Sequence, residues 1–128
     1  MAMFRNPNLR NLGDILRRNA NRYPDREGVI GGEFRLSWHD VNRRSNRVAH
    51  GLLELGVKKG DRVAHLLPNR PELVEILFAV FKIGAVMVPI NYRLSPEEIG
   101  IILNDEQNVV CRDKNGYDPS SLCQKEST

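Results

Sequence analysis

Cysteine is scarce in this chain, with Cys111 and Cys123 the two among 128 residues. Neither belongs to a C-x-x-C pair and no further ligand stands at a suitable spacing, so no zinc site is expected. Two scattered thiols fit a reducing compartment better than a disulfide scaffold. Aromatic residues make up only 6%. None is interleaved with Arg17, Arg18, Arg43, Arg44, Arg47, Lys58 and Lys59 as a surface for single-stranded nucleic acid would require. The net charge of +3 is a small excess, and charge dispersed in this way reads as a solvated face with no nucleic-acid partner. Long hydrophobic runs are missing as well. The longest, residues 76–90, is broken by Lys82, Gly84 and Pro89 and falls short of the roughly 20 residues that span a bilayer. The opening MAMFRNPNLRNLGD has no apolar segment of secretory type, so a cytoplasmic protein without a membrane span is expected.

The common phosphate and nucleophile motifs are also absent: the sequence has no G-x-S-x-G, no G-x-x-x-x-G-K-[ST] and no G-x-G-x-x-G. Gly31-Gly32 lacks a following helix that would aim amide groups at a phosphate. Of the three histidines, His39 and His50 lie about 16 Å apart along one helix, too far to share a metal. A catalytic role is conceivable for His65 on a buried strand, where a structural histidine is the plainer reading.

What is present suits one globular unit. Hydrophobic residues at 41% and charged residues at 27% are ordinary for a folded domain, and the length allows one modest core. Leu12, Ile15, Leu16 and Ala20 recur at helical spacing, predicting a helix over 12–22 that Tyr23-Pro24-Asp25 ends. Short strands at 27–30 and 33–36 flank Gly31-Gly32 as a hairpin. Ser37 is placed to cap a helix whose inner seam is Trp38, Val41, Ser45, Val48, Leu52 and Leu55, with Arg43, Arg44 and Arg47 outside and Gly56 closing it. Residues 62–67 form a near-continuous apolar strand.

A third helix starts at Asn69 or Arg70 with Pro71 in its first turn and buries Leu73, Val74, Ile76, Leu77, Val80 and Phe81 before Gly84. Residues 85–90 read as a second buried strand. Ser95-Pro96-Glu97-Glu98 combines a capping box with proline at the first helical position, predicting a helix over 96–103. A short strand at 109–111 follows. The alternation of strand and helix predicts right-handed crossovers and an α/β fold, a small doubly wound parallel sheet with flanking helices. The expected organisation is one domain over 1–112 and a polar, frayed tail over 113–128.

In open parallel sheets ligands bind beyond the carboxyl ends of the strands. Pro68-Asn69-Arg70 and Asn91-Tyr92-Arg93 reach that rim, offering a carboxamide, two cations and a stacking face. The competing reading makes Asn69 a helix cap, packs Tyr92 in a turn and leaves the arginines solvated.

Four segments carry a resemblance: LGVKKGDRV at 55–63, LLPNRPEL at 66–73, KIGAVMVPINYRLSPEEI at 82–99 and ILND at 102–105. In order, spacing and content they resemble the N-terminal part of the AMP-forming acyl-CoA synthetases. That family activates a carboxylic acid with ATP and usually passes the acyl group to coenzyme A. The resemblance implies the first part of the family's large N-terminal domain. It also implies ATP, Mg and coenzyme A as the cofactors of a full-length relative. The family's nucleotide loop, of the form T-S-G-T-T-G-x-P-K, has no counterpart in these 128 residues. Its Y-x-T-E segment, ribose-holding aspartate and mobile-domain lysine have none either. No catalytic, cofactor-binding or metal-binding residue therefore carries over. The expectation is a truncated relative, inactive alone, that self-associates or meets a complementing chain through exposed apolar surface. The alternatives are one half of a split ligase and a non-catalytic ligand- or protein-binding module on the same scaffold.

Overall fold

Most of the amphipathic segments form close to where their patterns place them. The computed structural model describes residues 10–104, 109–112 and 123–125. Helix α1 is Gly13–Arg22, and strands β1, Glu27–Gly31, and β2, Phe34–Ser37, form an antiparallel hairpin. Helix α2 is Trp38–Glu54, β3 is Arg62–Leu66, α3 is Pro71–Ile83 and β4 is Val86–Pro89. Helix α4 is Pro96–Asn104, followed by β5, Val109–Arg112, and β6, Cys123–Lys125.

The caps follow the sequence. Ser37 Oγ accepts from the Asp40 amide at 3.1 Å. At α4 the capping box is complete, with the Ser95 amide donating to Glu98 Oε2 at 2.8 Å and the Glu98 amide donating to Ser95 Oγ at 3.3 Å. Gly56 and Gly84 close α2 and α3 with φ of 88° and 74°, a conformation that costs other residues about 1 kcal/mol or more. The hairpin turn sits one residue later than expected. Gly31 pairs with Phe34 inside the ladder, and Gly32-Glu33 make the connection.

Handedness then fixes the layers. The main sheet has the order β4-β3-β5-β6, with β3 parallel to both β4 and β5. The chain leaves β3, crosses through α3 to β4 on one side, and returns through α4 to β5 on the other. Two right-handed crossovers running in opposite directions put α3 and α4 on opposite faces. The burial agrees with this. Val63 and Leu67 join Val48, Leu52, Ile76, Ala79, Val80 and Cys111 in the larger core under α2 and α3. Ala64 joins Ile90 in a smaller one, against which Leu66, Ile99, Ile102 and Leu103 pack. This is the doubly wound α/β layer that the sequence predicts, with α1 added to the α2 and α3 side.

Two expectations change in the sheet. Residues 85–90 read as a buried strand, but β4 lies at the edge and Val86 is 49% exposed. Pro89 ends it, where a missing N–H disturbs no inner ladder. The sheet also continues past residue 112. β6 lies within the stretch expected to fray and pairs antiparallel with β5, setting Cys123 opposite Cys111. Cys111 is disulfide-bonded. It is therefore not the scattered thiol that the sequence suggests, and sequence distance hid the register that β6 takes beside β5. The rest of 113–128 lies outside the described residues.

Candidate functional site

The two rim segments meet different fates. After β3, Asn69 is exposed and caps nothing, since Arg70 is the N-cap of α3 and no side-chain cap forms. Arg70 Nε stands 3.5 Å from Glu72 Oε2. Asn69, Arg70 and Pro71 line a groove of about 320 Å³ with Leu73 and Val74 of α3 and Val29, Ile30 and Gly31 of the hairpin. The hairpin holds that position because Trp38 lies flat against the backbone at Gly28 and its amide donates to the Arg26 carbonyl at 2.9 Å. The groove is mainly apolar, with the Asn69 carboxamide and the Arg70 cation among its lining groups.

After β4, Asn91-Tyr92-Arg93 satisfies itself. Asn91 Oδ1 accepts from the Arg93 amide at 3.0 Å, and the Arg93 guanidinium lies over the Tyr92 ring at 5.8 Å. Tyr92 is half exposed. These three residues do not line the groove beside Asn69 and Arg70.

Among the described residues, buried charges meet between helices, and the sequence reading missed them. The buried face of α3 is Glu72, Glu75, Ile76, Ala79 and Val80, a helical 3-4 spacing that includes two carboxylates. Glu75 is fully buried, and Arg44 Nε donates to its Oε1 at 2.5 Å. Arg44 was expected on the outer face of α2, yet it turns inward to meet this charge. Burial pushes the Glu75 carboxyl above its ordinary range, Arg44 pulls it back, and Glu72 adds a smaller upward push. Lys82 Nζ donates to Asn42 Oδ1 and Asn46 Oδ1, one turn apart on α2, at 2.5 and 2.6 Å. Helix α1 covers this lysine so closely that a Cβ on Gly13 would lie 2.9 Å from Lys82 Cα. Burial, helped by Arg17 and opposed by Asp14, lowers Lys82 to about 8. The signal available in sequence was an acidic pair at i, i+3 inside an apolar helix facing Arg44 and the Asn42/Asn46 pair. It pointed to a helix–helix contact.

His65 is buried on β3, its Nδ1 has no partner among the described residues, and burial lowers its pKa. It pairs in register with Pro89 on one side and Cys111 on the other. His39 and His50 share α2, and among the described residues no three His, Cys, Asp or Glu side chains gather as a metal site. ATP and magnesium need converging amide donors, cations and carboxylates. The groove offers one carboxamide and an arginine beside Glu72, which does not fit such a group. No described helix is long and apolar enough to cross a membrane.

Comparison with known proteins decides the ancestry. The family described as AMP-binding enzyme matches residues 16–121. The chain belongs to that family. Within it, the long-chain-fatty-acid–CoA ligase FadD13 of Mycobacterium tuberculosis is 38% identical over 104 residues, covering 80% of this chain and 21% of the relative. Feruloyl-CoA synthase of an Amycolatopsis species is 43% identical over 94 residues, covering 73% and 19%. Among solved structures, the N-terminal domain of FACL13 from Mycobacterium tuberculosis superposes with a TM-score of 0.76 at 36% identity, covering 88% of this chain and 29% of that one. The chain thus spans about a fifth of the length of these curated relatives. The family match takes in every element from α2 to β5, and the structural neighbours place the layer in the N-terminal domain of acyl-CoA ligases.

Proposed function

We propose that these residues are the opening scaffold layer of an AMP-forming acyl-CoA ligase and do not activate an acid by themselves. The observation that carries this reading is where the buried charges are used. Glu75, Arg44 and Lys82 join α2 to α3, and among the described residues the rim beyond β3 and β4 has no cluster aimed at a phosphate. Stabilising charge on a transferring phosphoryl group takes several positioned donors and cations. The 128 residues also contain no T-S-G-T-T-G-x-P-K loop. In a whole ligase, ATP, magnesium and coenzyme A would be held by other segments, and this layer would brace them. The relatives are named for long-chain fatty acids and for feruloyl-CoA, so an aliphatic or aromatic carboxylic acid is the substrate class proposed for the whole protein. The test is acid-dependent ATP–pyrophosphate exchange by the purified chain with a fatty and an aromatic acid. No exchange above background is expected, and exchange with either acid overturns the proposal.

The groove beside Asn69 and Arg70 favours a second reading, a binding module whose apolar wall takes an acyl chain or an aromatic ring. Thermal stabilisation by an acyl-CoA, and not by AMP, is its expected signature. No shift with either at high concentration would remove it.

A further inference from the structure

Lys82, in the last turn of α3, is held at both ends of its side chain. Helix α1 packs on its stem, where a Cβ on Gly13 would lie 2.5 Å from Lys82 Cγ and 2.9 Å from its Cα. The amine reaches α2, and Nζ donates to Asn42 Oδ1 at 2.5 Å and to Asn46 Oδ1 at 2.6 Å. Asn46 is exposed, so the amine stands at the solvent edge of the helix pair. Both acceptors are neutral carboxamides. Asp14 of α1, the carboxylate that acts on Lys82, is taken by Arg17 at 3.0 Å. A neutral amine has two N–H donors and one lone pair, so two carboxamide oxygens satisfy it and leave the lone pair unengaged. An ammonium in the same place has a third donor that neither acceptor takes. The lowered pKa of about 8, caused by burial and Arg17 against Asp14, agrees with that donor count. We propose that Lys82 is an acyl-acceptor site, whose amine takes the acyl group of an activated carboxylic acid, a thioester or an acyl phosphate, and becomes an amide.

The lone pair attacks the acyl carbon, and an N–C bond forms as the C–S or C–O bond breaks. The thiolate or phosphate leaves with the electron pair, and the proton shed by nitrogen goes to it or to water. Amine plus acyl thioester gives amide plus thiol, with no oxidant or reductant. The acyl donor comes from outside this chain. The amide keeps one N–H for two carboxamide acceptors and carries no charge, so acylation strips one hydrogen bond from the contact between α2 and α3. A lysine lowered in this way gains neutral amine faster than it loses nucleophilic strength, a net advantage on the order of tenfold over an ordinary lysine near neutral pH.

The purified chain is incubated with acetyl-CoA or with acetyl phosphate between about pH 6.5 and 9.5, on both sides of the lowered lysine and short of an ordinary one. Acetylation at each lysine is followed by mass spectrometry, with Lys58 and Lys59, exposed after α2, as the internal control. With at least one donor, Lys82 is expected to react about tenfold faster than either near neutral pH, and its rate to level off above about pH 8. The preference is expected to vanish in urea, where Asn42 and Asn46 no longer hold the amine. Arg17→Gln, exposed on α1, removes a charge that opposes the ammonium and should slow Lys82 about twofold while leaving Lys58 and Lys59 unchanged. Whichever donor reacts names the source of the acyl group. Lys82 labelled no faster than Lys58 and Lys59 by both donors would overturn the site, as would a preference that survives in urea.

Discussion

The two faces of the main sheet are finished to different degrees. Under α2 and α3 lie fully buried Val63, Leu52, Ile76 and Val80, a core dense enough to hold a buried carboxylate with its arginine. Among the described residues, only Ala64 and Ile90 are buried under α4, and no residue of α4 itself is. Ile101 on the same helix is 65% exposed. Both helices begin well, α3 with proline in its first turn and α4 with a complete capping box. Local signals therefore make a helix start, and the number of surfaces packed against it decides how much it stabilises. The α2 and α3 face stands as a domain core, whereas the α4 face is thinly packed among the described residues.

Matched truncations break the comparison most directly. Ile76→Ala should cost about 3 kcal/mol, because it opens a cavity in a fully buried site. Ile102→Ala, on the thin face, should cost about 1 kcal/mol, as only part of its apolar area leaves water. Urea denaturation midpoints measure both, and equal losses would mean that the two faces contribute alike.

Arg44→Ala sharpens the same contrast electrostatically. It leaves Glu75 buried without its cation and should destabilise on the order of 3 kcal/mol near neutral pH. The sign with pH follows from the raised carboxyl of Glu75. A carboxyl raised in the folded state favours folding below its unfolded value of 4.5, and that contribution is lost as pH rises through the folded value. Removing Arg44 takes away its downward pull on the Glu75 carboxyl, so the cost of Arg44→Ala should shrink toward pH 4 and grow toward pH 7. Chemical denaturation at the two pH values reads this, and a loss that does not vary with pH would contradict the role assigned to Glu75.

The smallest effect is expected at the α4 cap. Ser95→Ala removes the acceptor for the Glu98 amide and should cost about 1 kcal/mol, visible chiefly as faster exchange in α4. A change in α2 or α3 of the same size would mean that the two faces unfold as one.

The fold was largely legible because its helices announce their ends. Ser37, Pro71, Gly84 and Ser95 each act through backbone geometry within a turn or two, and such signals survive in sequence. The layer order was legible because handedness leaves one solution once the alternation of strand and helix is recognised. What stayed hidden depends on partners distant in the chain. Glu75 shows no role until α2 brings Arg44 against it, and Lys82 reads as a break in an apolar run until Asn42 and Asn46 receive it. Cys111 and Cys123 read as unrelated until β6 returns along β5. The rim candidates fared unevenly for the same reason. Asn69 and Arg70 gained a groove from the distant hairpin, while Asn91, Tyr92 and Arg93 found partners within their own turn.

Native-state hydrogen exchange, residue by residue and under increasing denaturant, tests most directly whether the stability of this scaffold lies on one face. Amides of β3, α2 and α3 should exchange through global unfolding, whereas those of α4 should open at lower free energy with little dependence on denaturant. Protection of α4 equal to that of α3, with the same denaturant dependence, would contradict the two-faced picture and make the layer a self-sufficient core.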